Sequence, residues 1–163
     1  FLPKIFGKKV KRIVMNKSYR NTSEIAEYAK SVGGSKDIQY VARHGKAVER
    51  HAIKTLEKTC KEISEKLKLR EEEYETAAIL TMTEKEAEHI QEIMHKLGAE
   101  SHYINRDSAQ FKKGLTVTTY YLAKGLEFDQ VFVVGGDRNN KMYQGYQYIC
   151  ATRALHELYV YDA

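Results

Sequence analysis

Three short stretches hold side chains of the kinds that act on phosphates and sugars: Tyr19-Arg20 within SYRN, Lys124, Gly125 and Glu127 within AKGLEF, and Thr152-Arg153 within ATRA. A guanidinium binds phosphate oxygens bidentately and stays charged at any physiological pH. Two arginines and a lysine gathered on one edge would therefore suit a polyphosphate. A carboxylate beside that site repels phosphate, so Glu127 fits better as the acceptor for a sugar hydroxyl, the way acidic residues select a ribose. Each group also has a plainer use. Arg20 can be a surface arginine near a helix N-terminus, and Arg153 can offset a helix C-terminal dipole.

These stretches are far apart in sequence, so the elements between them must bring them together. Lys11 to Met15 reads as a strand. Asn21, with Glu24 three residues on, reads as the cap of a helix through Ile25, Tyr28, Ala29 and Val32 that Gly33-Gly34 ends. Asp37 to Ala42 predicts another strand, and the three-to-four spacing of Val48, Ala52, Leu56, Cys60, Ile63 and Leu67 predicts a long amphipathic helix from Lys46 to about Leu69. The acidic run from Arg70 to Glu75 reads as a solvated connection. AAILTM at Ala77 to Met82 then gives a strand, and Thr83 with Glu86 opens a helix running to Gly98. Further strands are expected at Ser101 to Asn105, Leu115 to Thr119, Gln130 to Val134 and Leu158 to Tyr161, with a helix from about Gln144 to His156. Strands alternating with helices imply a mainly parallel sheet covered on both faces, one α/β domain over residues 1–163. Ligands in such sheets gather at the carboxyl ends of the strands, which is where the three polar stretches are expected.

Composition narrows the classes. Lys and Arg number 27 against 22 for Asp and Glu, giving a net charge of +5 and a pI near 9.0. That balance leans toward an anionic partner and equally fits a basic soluble surface. Two cysteines, Cys60 and Cys150, without CxxC or a ligand cluster, suggest neither a disulfide framework nor zinc and fit a reducing cytoplasm. No apolar run is long enough to span a bilayer. No G-x-x-x-x-G-K-[ST] occurs, because the Gly7-Lys8 and Gly45-Lys46 pairs lack the loop and the following Ser or Thr. Phosphate-binding arginines without a phosphate cradle amount to half of a nucleotide site, and a chain opening on Phe1 is expected to be a piece of a longer polypeptide.

With these residues located, the chain resembles the second RecA-like domain of superfamily 1 DNA helicases of the UvrD/Rep type, and within them the helicase IV-like and HelD-like branch. SYRNTSEI at Ser18 to Ile25 is similar to helicase motif IV. VTTYYLAKGLEFDQVFVVG at Val117 to Gly135 is similar to motif V, and YICATRALHELYVY at Tyr148 to Tyr161 to motif VI. The blocks keep the family's order and span nearly the whole chain.

The resemblance implies a RecA-like, P-loop NTPase-like three-layer sandwich that lacks its own P-loop and completes the ATP site of an N-terminal RecA-like domain. It implies that Tyr19 stacks on adenine, that Arg20 and Arg153 reach the γ-phosphate, that Glu127 contacts the ribose, and that Gly125 lies in the nucleotide-facing loop. The Mg²⁺ that accompanies ATP would be held by the N-terminal domain. Thr119, Tyr121 and Lys124 would lie along single-stranded DNA. The departures fall on the DNA side: Tyr121 and Leu122 replace the usual histidine and small residue, KMYQGYQ replaces an acidic-basic run, and Met82-Thr83-Glu84 stands where an Arg-Thr-Asn contact is usual. Between Arg20 and Lys124 there is no room for the large inserted domain of UvrD and Rep. Two other readings stay open: an ATPase of this lineage that remodels RNA polymerase, and a non-catalytic basic α/β binding module.

Overall fold

Parallel strands can pair only through crossovers that return the chain to the same end of the sheet, and the sequence supplies helices for several of them. The computed structural model describes residues 17–18, 21–32, 39–40, 45–103 and 114–162. The elements are β1 (Lys17–Ser18), α1 (Ser23–Ser31), β2 (Gln39–Tyr40), β3 (Glu49–Ala52), α2 (Leu56–Leu69), β4 (Thr76–Thr81), α3 (Glu84–Lys96), β5 (Ser101–Tyr103), β6 (Gly114–Thr119), β7 (Phe128–Val134), α4 (Tyr143–Thr152) and β8 (Ala154–Asp162). Six strands form one all-parallel sheet in the order β3-β8-β7-β4-β6-β5, and β1 and β2 form a separate parallel pair.

The central strands are buried on both faces, which is why they read as continuous apolar runs. Alternate residues divide between two cores. Ala78, Leu80, Val131 and Val133 face Ile25 of α1 and Tyr146 and Cys150 of α4. Ile79, Val117 and Phe132 face Cys60 and Ile63 of α2 and Ile90 of α3. The expected capping box at α3 is present, the Thr83 hydroxyl accepting from Glu86 N at 3.2 Å while the Glu86 carboxylate accepts from Thr83 N at 3.1 Å.

Three expectations are corrected. The helix predicted from Lys46 begins only at Leu56. Glu49–Ala52 is instead an edge strand pairing with β8, and Thr55 caps the helix by accepting from Lys58 N at 3.1 Å. Apolar residues at Val48 and Ala52 fit a helical stripe as well as they fit a half-buried strand. Second, α4 stops at Thr152, so Ala154 to His156 belong to β8, where the ladder with β7 claims them. Third, α1 is capped by Thr22, whose hydroxyl accepts from Ile25 N at 3.3 Å, one residue later than expected. The strand expected at Lys11 to Met15 lies outside the described residues, as does all of the one expected at Asp37 to Ala42 except Gln39–Tyr40.

Candidate functional site at the amino rim of the sheet

The decisive junctions are short. A single residue, Arg153, links α4 to β8, and Phe128, the first residue of β7, is register partner to Ala154, the first of β8. Phe128 N donates to the Arg153 carbonyl at 2.9 Å. Glu127 and Arg153 therefore stand beside each other at the amino ends of β7 and β8. This corrects the expected placement at carboxyl ends, and the reason is topological: AKGLEF begins past the carboxyl end of β6 but ends at the entry to β7.

The guanidinium of Arg153 is turned onto that loop. Its Nη1 donates to the Leu126 carbonyl at 3.1 Å, and Nε and Nη2 each lie 3.3 Å from Thr152 Oγ1. The loop itself is a turn, with Ala123 N donating to Thr119 O at 3.2 Å and Leu126 N to Ala123 O at 3.0 Å. Ala123 is fully buried, whereas Lys124 and Gly125 are exposed and Glu127 half-buried. Gly125 has φ +85°, and a β-carbon there would meet nothing within 4 Å, so backbone conformation rather than crowding asks for glycine.

A third segment arrives at the same place. With the capping of α1 left to Thr22, Asn21 is buried and donates from Nδ2 to the carbonyl of Ala154 and, at 3.4 Å, to that of Thr152. It thereby holds the residues on either side of Arg153. The residue before it in the chain is Arg20; Tyr19 and Arg20 themselves lie outside the described residues. The sequence pointed to Asn21 as a cap. Its role as a tie to β8 has no local signal, because the partner carbonyls are more than 130 positions away.

Two of the nucleic-acid candidates, Thr119 and Tyr121, lie elsewhere, whereas the third, Lys124, is in the AKGLEF loop itself. Thr119 ends β6 in register with Thr81, and it is 1% exposed. Tyr121 is half-buried and meets Tyr120 edge-on at 5.4 Å, and Tyr120 in turn packs against Tyr146 at 5.3 Å. Thr119 is level with Thr81, and Phe128 with the residues just before Ala77, so the two ends of this segment are separated by roughly 20 Å along the strands. Residues 120–127 thus run from one rim of the sheet to the other, on the face covered by α1 and α4, with Ala123 and Leu126 packed in that core.

Two other polar clusters, around Asp129 and Glu157, are structural in character. Asp129 Oδ2 accepts from Glu75 N at 2.9 Å and Thr76 N at 3.1 Å, fixing the start of β4. Buried Glu157 receives Gln130 Nε2 at 3.0 Å and Tyr159 Oη at 2.5 Å, with Arg70 Nε at 3.2 Å. Cys60 and Cys150 are both buried; burial, helped by Glu57, pushes the Cys60 thiol up to about 12, and burial raises that of Cys150. Neither is a poised nucleophile. Among the described residues no cluster of His, Cys, Asp or Glu could hold a metal ion, and no helix is long and apolar enough to cross a membrane.

No family model and no curated protein sequence matches the chain. Among solved structures, the C-terminal domain of a possible DNA helicase from Lactobacillus plantarum WCFS1 superposes with a TM-score of 0.73 at 24% sequence identity, covering 90% of this chain and 88% of that one. The two share one fold. The six-stranded parallel sheet between two helical layers is the RecA-like α/β architecture expected from the sequence.

Proposed function

We propose that the chain is the second motor domain of an ATP-dependent DNA helicase or translocase, completing with its amino rim an ATP site whose phosphate cradle and Mg²⁺ belong to an N-terminal RecA-like domain. The observation that carries this reading is the meeting of Arg153 with the AKGLEF loop: Nη1 of Arg153 lies 3.1 Å from the Leu126 carbonyl, one residue from Glu127. Arg153 and Glu127 are then neighbours in the chain path at the amino ends of β7 and β8, the rim at which a second domain would present a nucleotide. The likeness of fold to the helicase domain, and the similarity of the three sequence blocks to motifs IV, V and VI, favour the same assignment.

In this reading Arg153 supplies positive charge to the γ-phosphoryl as it is transferred to water, and Glu127 accepts a hydrogen bond from the ribose. Asn21 fixes the backbone on both sides of Arg153, and the resemblance to motif IV assigns Tyr19 and Arg20, the two residues before it in sequence, to the same nucleotide. An arginine of this kind is worth about 10³ to 10⁵ in rate. Residues 120–127 connect the nucleotide rim to Thr119 and Tyr121 at the other end of the sheet, so closing and opening of the two domains would move the single-stranded-DNA side with the ATP side.

The test is ATP turnover by the full-length protein. Arg153→Ala should lower it by at least about 10³-fold, with ATP binding followed by a fluorescent analogue largely kept. Unchanged turnover would remove the assignment.

A further inference from the structure

A second basic feature lies at the carboxyl rim, and nothing in the sequence marks it. Asp162, the last residue of β8, is nearly buried, and its Oδ2 is shared by two arginines: Arg50 Nη2 at 3.0 Å from β3 and Arg138 Nη2 at 3.1 Å from the loop after β7. One arginine is enough to neutralise one carboxylate. The three side chains by themselves sum to a net positive charge, and both arginines remain more than half exposed, at 56% and 55%.

The loop that carries Arg138 is held in place. Gly135 and Gly136 adopt φ +77° and +105°, and a β-carbon on Gly136 would come within 2.8 Å of the Tyr146 ring and 2.9 Å of the Tyr143 ring. Gly136 N donates to Glu86 Oε2 at 3.3 Å, tying the same loop to α3. Tyr143, hydrogen-bonded to Arg138, borders the pair on the α1–α4 face, while the Tyr28 hydroxyl is buried; burial foremost raises both phenols. The arrangement is a pair of guanidinium forks positioned on a buried carboxylate and bordered by the Tyr143 phenol. Its chemistry matches an oxyanion with several acceptor oxygens.

We infer that Arg50 and Arg138 bind a backbone phosphate of a single strand of nucleic acid. The inference rests on the motor reading for the choice of ligand: Asp162 and the end of β6, which leads into the half-exposed Tyr121, share the carboxyl rim, three strand spacings apart, about 14 Å, a distance one extended strand can follow along the edge. The site is at the opposite end of the sheet from Arg153, so nucleotide and nucleic acid occupy separate rims.

The experiment is binding of a labelled oligothymidylate to the full-length protein, by anisotropy across a salt series. The double variant Arg50→Ala/Arg138→Ala should bind about tenfold more weakly, with a log–log salt slope shallower by about 0.7, one phosphate contact on a single strand. Because that variant strands Asp162, a second one keeps both arginines: Asp162→Asn should bind at least as tightly as the parent, with a salt slope at least as steep. An unchanged slope in the folded double variant, or loss of binding in Asp162→Asn to match it, overturns the site, as does a parent protein that binds no oligothymidylate. Failure of the motor reading is seen separately, as ATP turnover that ignores Arg153→Ala.

Discussion

The two rims of the sheet solve the problem of displaying arginine in different ways. At the amino rim Arg153 is held by backbone: it is the one residue between α4 and β8, its guanidinium rests on the Leu126 carbonyl, and Asn21 ties down both neighbours. At the carboxyl rim Arg50 and Arg138 are held by a side chain, the buried carboxylate of Asp162. A group resting on a main-chain carbonyl at a one-residue junction is placed with little freedom, because that carbonyl moves only with the chain itself. A carboxylate-held pair keeps its charge facing outward and tolerates a ligand that slides. The contrast suits a catalytic contact at one rim and a mobile polymer at the other.

Several substitutions sharpen or break this contrast. The largest effect short of Arg153 itself is expected at Glu127. A hydrogen bond to a charged acceptor is worth about 1.5–3 kcal/mol, so Glu127→Gln should raise KM for ATP by roughly ten- to a hundredfold in the full-length protein, and much less for an analogue lacking the ribose hydroxyls. Equal losses for both nucleotides would show that Glu127 does not touch the sugar. Next comes Asn21. Asn21→Ala leaves the Thr152 and Ala154 carbonyls without their donor, at a cost of about 1–3 kcal/mol, read as a lower denaturant midpoint. Asn21→Asp, nearly the same shape but with no donor, should cost more; if it is neutral, the tie to β8 is not a hydrogen bond.

Gly125→Ala should cost about 1–2 kcal/mol from its left-handed backbone alone, since open space surrounds the site. A neutral result would mean that the loop adopts another conformation. The smallest effect is expected at Glu49, next to Arg50 in β3 but pointing to the opposite face of the strand. Burial works against the Glu49 carboxylate, but Lys46, His51 and Lys66 at 2.5, 2.9 and 3.3 Å outweigh it and hold the group down at about 2. A carboxyl depressed in the folded state adds stability above its ordinary value of 4.5 and loses it as pH falls toward 2. Stability should therefore decline across that window in the parent and less so in Glu49→Gln, while the parent–variant difference stays constant above it.

Much of this was legible in the sequence wherever the signal is local. The apolar runs of β4, β6 and β7 and the Thr83–Glu86 box follow from residues that are near neighbours. What escaped is long-range. Thr22 and Asn21 are both good caps, and only the carbonyls of β8 decide that Thr22 takes the helix and Asn21 the sheet. Val48 and Ala52 satisfy a helical period until β8 offers a strand partner. Arg153 falls at the amino rim because Phe128 pairs with Ala154, a register no local pattern encodes. Arg50, Arg138 and Asp162 meet from three separate elements and carry no motif at all.

The central claim, that Arg153 stabilises charge arising only as the γ-phosphoryl is transferred, is tested most directly by the affinity of the full-length protein for ADP with aluminium fluoride, a mimic of that transferring group, against ADP alone. The account predicts that the parent binds the mimic far more tightly than ADP, and that Arg153→Ala abolishes most of this preference while leaving ADP affinity nearly unchanged. Retention of the full preference in Arg153→Ala would contradict it.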